Sequence, residues 1–267
     1  MRDFNARQWL WALTLLLITV IAGTAQDSWK LIWADEFTGS AGTPPDPAKW
    51  TLERGGGGWG NREAQVYTAD PANASLDGKG NLVIRAIRTS DVEYTSARLK
   101  TEGKFTVRYG KVEARIKVPQ GQGLWSAFWM LGGNRKEVGW PKCGEIDVLE
   151  NIGREPAAAH GTVHGPGYSG GSGIAASVTL PKGEILADGF HRFAVEWSPE
   201  TIVFFLDGVE YSRVTPASLP RGAGWVFDQP FYLILNVAVG GNWPGPPDQT
   251  TVFPQEMLVD YVRVWQR

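Results

Sequence analysis

The chain has 267 residues with 26 Lys and Arg against 28 Asp and Glu, a formal net charge of −2, 33 Gly, 17 Pro, 13 Trp and a single cysteine, Cys143. That length suits one large all-β domain with a sizeable core. Near-neutral charge excludes the basic face that recruits nucleic acid, and one cysteine excludes an intrachain disulfide framework.

Residues 1–25 read as a signal peptide. Arg2 and Arg7 precede an apolar run from Trp9 to Ile21, and Gly23-Thr24-Ala25 supplies the small residues that suit cleavage. The run is shorter than the roughly 20 residues a membrane-spanning helix needs. The expectation is a protein secreted to the extracellular space or periplasm, without stable membrane association after cleavage. Removing Arg2, Arg7 and Asp3 leaves 24 basic and 27 acidic residues in 26–267, a formal charge of −3. That balance suits an uncharged polymer as partner, and the remainder reads as a single domain acting as a monomer.

From Asp27 onward Gly and Pro recur about every ten residues, and the runs between them alternate with period two, the pattern of a sandwich or barrel. Leu82, Ile84 and Ala86 share one face. Over 111–118, Val112, Ala114, Ile116 and Val118 are expected in the core, with Lys111, Glu113, Arg115 and Lys117 toward water. Ile202–Leu206 runs into Asp207-Gly208, a dipeptide suited to the two positive φ angles of a type I′ hairpin turn. Over 231–239, Phe231, Leu233, Leu235, Val237 and Val239 share one face. Tyr232, Ile234, Asn236 and Ala238 share the other, small and polar enough to floor a cleft. No segment holds a helical period for three turns. The fold class is therefore an all-β jelly-roll sandwich of two curved antiparallel sheets with a concave substrate cleft.

Between those strands, Gly144-Glu145-Ile146-Asp147-Val148-Leu149-Glu150 places three carboxylates among residues that otherwise build a buried strand. Buried carboxylates cost several kcal/mol unless paired or hydrogen-bonded, so the segment calls for a functional reason. Alternation puts Glu145 and Asp147 on one face and leaves Glu150 with the wrong parity; a one-residue bulge between Asp147 and Glu150 restores it. Two long side chains can then approach the separation of about 5–5.5 Å that a retaining glycosidase uses. A solvated surface strand or a metal-binding carboxylate cluster are the other readings, but metal oxygens usually come from a turning loop.

These residues carry a resemblance. The six-residue form EIDVLE resembles the Glu-x-Asp-x-(x)-Glu signature of glycoside hydrolase family 16, in its laminarinase branch. NREAQVYT (61–68), GLWSAFWML (123–131), GWPKCGEIDVLENIG (139–153), HGTVHGPGYSGG (160–171), LNVAVGGNWPG (235–245) and VDYVRVWQ (259–266) are similar to laminarinase blocks in the family's order. The resemblance implies a jelly roll and an endo-acting β-1,3-glucanase that works by retaining double displacement on β-glucan. Glu145 would be the nucleophile, Glu150 the acid/base and Asp147 the residue that holds Glu145 in place, with no cofactor required for catalysis. A mixed-linkage β-1,3-1,4-glucanase or other family 16 polysaccharidase is the alternative. A non-enzymatic β-glucan-binding protein is disfavoured because both glutamates are retained. Ser126 departs from the family, which commonly carries proline there, and puts loop rigidity in doubt.

Trp59, Trp125, Trp129, Trp140 and Trp243 sit beside glycines or in loops, where an indole can face a pyranose ring and donate its N–H to a hydroxyl. By resemblance Trp125, Trp129 and Trp140 line subsites, Asn61, Glu63 and Arg98 are polar groove residues, and His164 lies near the acids. Arg98 reads equally as a surface ion-pair partner. His160 and His164 share a strand face, but no third nitrogen or sulfur ligand other than Cys143 lies near enough to make a catalytic zinc site. His191 looks structural and Cys143 reads as a small buried hydrophobe. Glu36, Asp260 and a carbonyl near Gly80 resemble segments that hold a structural Ca²⁺ in many family members. Asn73-Ala74-Ser75 is a glycosylation sequon.

Overall fold

The computed structural model describes residues 28–267, so the expected leader lies outside it. Two sheets account for the described chain. The ten-stranded sheet runs Val209–Val214, Thr201–Leu206, His191–Ser198, Gly110–Lys117, Gln255–Gln266, Leu82–Arg88, Tyr94–Ser96 and Gln65–Tyr67, with two further strands attached. The seven-stranded sheet runs Ile174–Thr179, Ala158–His164, Glu145–Ile152, Leu124–Gly132, Phe231–Val239, Arg98–Lys100 and Thr51–Leu52. Pairing is antiparallel except where Gln65–Tyr67 runs parallel to Tyr94–Ser96. Among the described residues helix is confined to one turn, Arg135–Val138, and four short 3-10 stretches. None is long and apolar enough to cross a membrane.

The period-two pattern explains how the sheets close on each other. Leu82, Ile84, Ala86, Val112, Ala114 and Ile116 project from one sheet into a single core; Phe128, Ile146, Val163, Leu233 and Leu235 meet them from the other. The opposite face of Phe231–Val239 sorts differently. Tyr232 and Ile234 pack with Leu131 and the buried Cys143 in a separate small cluster, against which Trp129 lies. Asp207 and Gly208 take φ of 51° and 85°, as the hairpin turn requires.

Three expectations are corrected. Glu113 does not face water: it is buried, accepts a 2.8 Å hydrogen bond from the Tyr261 hydroxyl and lies 2.9 Å from Lys111 Nζ, because the neighbouring C-terminal strand covers it. Ser126 belongs to no loop. It is buried mid-strand, paired with Val237 and Asn151, so its departure from proline has no bearing on loop rigidity. Asn73 is only 2% exposed; its amide donates to Arg85 O and Thr95 Oγ1, which withholds the sequon from modification in the folded chain.

Val148 and Leu149 are consecutive, yet both lie in the core. Leu149→Ala leaves a cavity directly beneath the acid-bearing strand, and a loss of about 2–5 kcal/mol is expected in urea unfolding. A loss under about 1 kcal/mol would show that this side chain does not anchor the strand.

Candidate active site

The strand Glu145–Ile152 lies between Leu124–Gly132 and Ala158–His164. Asp147 sits opposite Trp129, Leu149 opposite Phe128 and Glu150 opposite Ala127, so the register slips between Asp147 and Leu149. On the other side Asp147 pairs with Thr162 and Glu150 with His160, with the slip between them. Residues directly opposite in a ladder share a face. The slip therefore sends Val148 and Leu149 inward in succession and returns Glu150 to the face that carries Glu145 and Asp147, as the parity of the sequence requires.

Each glutamate has an indole donor. Trp140 Nε1 donates to Glu145 Oε2 at 2.9 Å, and Trp125 Nε1 to Glu150 Oε1 at 3.0 Å. Thr162 Oγ1 donates to Glu150 Oε2 at 3.4 Å. His164 Nε2 lies 3.1 Å from Asp147 Oδ2 and 3.7 Å from Glu145 Oε1.

All three carboxyls hold protons more tightly than free carboxylates. Burial pushes Glu145 up to about 8, the Asp147 and Glu150 charges add to it, and His164 and the Trp140 indole oppose it. Burial also pushes Glu150 up to about 8, assisted by Asp147 and opposed by His164, Trp125 and Thr162. Asp147, 3% exposed, is pushed well above the usual range by burial, offset by its hydrogen bond with Glu145. A bond between two carboxyls needs a proton. The protons of such a set belong to the cluster, and the deepest member, Asp147, is the natural holder. With that proton on Asp147, its charge no longer opposes ionisation of Glu145, which accepts from Asp147 and from Trp140 and so is best placed to carry the negative charge.

A polar chain flanks the acids. Trp129 Nε1 donates to Asn236 Oδ1 at 2.8 Å and Asn236 Nδ2 to the Tyr67 hydroxyl at 3.1 Å. Tyr67 donates to Glu63 Oε2 at 3.3 Å, and Asn61 Nδ2 to Glu63 Oε1 at 3.2 Å. Arg98 forms an ion pair, though a largely buried one: its Nε is 2.6 Å from Glu53 Oε2, and its guanidinium lies 4.7 Å from the ring centres of Trp59 and Trp129. Trp243 meets Trp125 edge-on at 5.5 Å and His160 at 5.0 Å. Trp140 is 46% exposed at the Glu145 end.

The structure thus gathers Asn61, Glu63, Arg98, Trp129 and Asn236 in one network, and sets Trp125, Trp140, Trp243 and His164 around the acids. Sequence reasoning passed over Tyr67, Thr162 and Glu53. Tyr67 stands two and four residues beyond Gln65 and Glu63, and Thr162 lies midway between two histidines on one face, so alternation alone could have found both. Glu53 has no such signal.

Other expectations resolve outside the cleft. Glu36 is gripped by both arms of Arg263 at 2.8 Å, and Asp260 lies 2.6 Å from Arg115 Nη1. Carboxylates neutralised separately by guanidinium groups do not fit the oxygen cage of a Ca²⁺ ion, so this proposed set with Gly80 is not supported. His191 pairs with Asp207 at 2.7 Å. His160 approaches Glu155 at 3.1 Å rather than joining His164 in a metal pair.

Residues 60–263 match the family described as Glycosyl hydrolases family 16. The chain is 42% identical to the beta-glucanase of Rhodothermus marinus over 89% of this chain and 85% of that one. It is 36% identical to glucan endo-1,3-beta-glucosidase A1 of Niallia circulans, of which it spans 38%. The fold superposes on the endo-beta-1,3-glucanase of Pyrococcus furiosus with a TM-score of 0.83 at 51% identity, covering 89% of this chain and 94% of that one.

The raised carboxyls fix a pH dependence. The folded state binds more protons than the unfolded one from the ordinary carboxylate range up to about 8, so stability is fully present in acid and falls as pH rises across that window. Glu150→Gln removes one such group. Its melting temperature should exceed that of the wild type by about 2–5 °C at pH 8 and match it near pH 4. A variant less stable than the wild type at pH 8 would contradict the buried-charge account.

Proposed function

The chain belongs to glycosyl hydrolases family 16 and is a glycosidase acting on β-1,3-glucan; from that premise we propose that it is an endo-β-1,3-glucanase working by double displacement with retention. The observation that carries this reading is the register slip that sets Glu150 on the face of Glu145 and Asp147, each glutamate steadied by its own indole. Glu145, hydrogen-bonded by Asp147, attacks the anomeric carbon while Glu150 gives its proton to the departing oxygen. The Glu145 charge is then consumed in the glycosyl bond. Giving up its proton has left Glu150 a carboxylate, a state the loss of the Glu145 charge now favours, and it takes a proton from water, which attacks the same carbon and releases Glu145.

The groove of Asn61, Glu63, Arg98, Trp129 and Asn236 and the indoles of Trp125, Trp140 and Trp243 supply stacking faces and hydroxyl partners for a neutral glucan. The Arg2, Arg7 and Trp9–Ile21 pattern supports secretion after loss of residues 1–25. N-terminal sequencing of the exported protein should begin near Gln26.

Glu145→Ala should lose at least about 10³-fold in glucan cleavage and recover activity with azide, giving the glycosyl azide of inverted configuration. Azide rescue of Glu150→Ala should give the retained anomer. The opposite pattern exchanges the two roles. Binding of laminarin without release of reducing ends by the unaltered protein would point to a recognition protein instead.

A further inference from the structure

His164, Asp147 and Glu145 have a property that glycoside hydrolysis does not use. One ligand atom from each lies within 4.8 Å of the other two, and among the described residues this is the grouping of three such side chains close enough to hold a metal ion. Four-coordinate Zn²⁺, with ligands at about 2.0–2.2 Å, sets its donors about 3.3 Å apart. His164 Nε2 lies 3.1 Å from Asp147 Oδ2 and 3.7 Å from Glu145 Oε1, spacings that bracket this value. Asp147 Oδ2 is buried and has no hydrogen-bond partner despite its nearness to His164. His164 Nδ1 is likewise without a partner; a neutral ring protonated there offers the Nε2 lone pair to an ion. Two carboxylates and one imidazole neutralise a divalent ion and leave a fourth position for water.

We propose that Glu145, Asp147 and His164 form an inhibitory site for a borderline-soft divalent cation, Zn²⁺ being the type, which binds in place of substrate. The proposal rests on Glu145 being the nucleophile. A bound ion occupies the oxygens that attack and support the anomeric carbon, and it displaces the proton shared by Asp147 and Glu145 to solvent. Oxygen-preferring ions such as Mg²⁺ gain little from the imidazole and prefer six ligands, so they are discriminated against.

The test titrates Zn²⁺ alone, and Co²⁺ as a visible probe, into the metal-free full chain. One ion per chain, intense visible Co²⁺ bands of a four-coordinate site, and a melting-temperature rise of about 5–10 °C at a hundredfold excess over the dissociation constant are expected. Zn²⁺ should inhibit β-1,3-glucan cleavage competitively, and a chelator should restore it. His164→Gln and, independently, Glu145→Gln should weaken metal binding at least about 30-fold, while His160→Gln and His191→Gln retain it. Absence of binding, binding that survives His164→Gln, loss of binding in His160→Gln, or binding without inhibition would each overturn the proposal. Stoichiometry and spectrum need no turnover. A protein that binds the ion as described yet never cleaves glucan would therefore sink the hydrolase reading, not the site.

Discussion

A single extra residue in one strand governs the rest of this molecule. Strict alternation would turn Glu150 away from Glu145 and Asp147. Instead Val148 and Leu149 enter the core one after the other, and the register slips against both neighbouring strands. The hydrophobic contacts of those two side chains hold the bulge in place, so the chemistry on one face of the sheet depends on packing on the other. Bulges beside active sites commonly re-aim a side chain in this way.

Bringing three carboxyls together in a buried setting creates an electrostatic problem, and the surrounding residues answer it. Trp140 and Trp125 each donate to one glutamate, Thr162 adds a hydroxyl, and His164 approaches from the adjoining strand. Burial of Asp147 favours its protonated form, which converts a repulsive neighbour into a hydrogen-bond donor for Glu145. The same burial that holds a proton on Glu150 for delivery also weakens the fold as the solution becomes alkaline. Stability and reactivity are opposed at these positions, the usual situation where a site is built from desolvated charge.

Much of this was legible in the chain itself. The alternation of Val112, Ala114 and Ile116, the Asp207-Gly208 turn and the parity of Glu150 each follow from a local rule, and each appears in the fold. What escaped depends on partners distant in sequence. Nothing near Glu113 announces that Tyr261, 148 residues away, covers it. The pairing of Glu36 with Arg263 spans 227 positions, so two acids that read as ion ligands are in fact held by guanidinium groups. Glu53, which anchors Arg98 beneath two indoles, directly follows the two-residue strand Thr51–Leu52, too short to show a period. Local patterns specify which face a side chain takes; the tertiary fold decides what it meets there.

The account turns on which carboxyl forms the bond to sugar. Inactivation with a 2-deoxy-2-fluoro β-1,3-linked glucosyl fluoride, followed by peptide mass spectrometry, reads this directly. The account predicts one label per chain, on Glu145, with Glu150 and Asp147 unmodified. A label on Glu150, or complete turnover of the reagent with no covalent adduct and an inverted product, would contradict it.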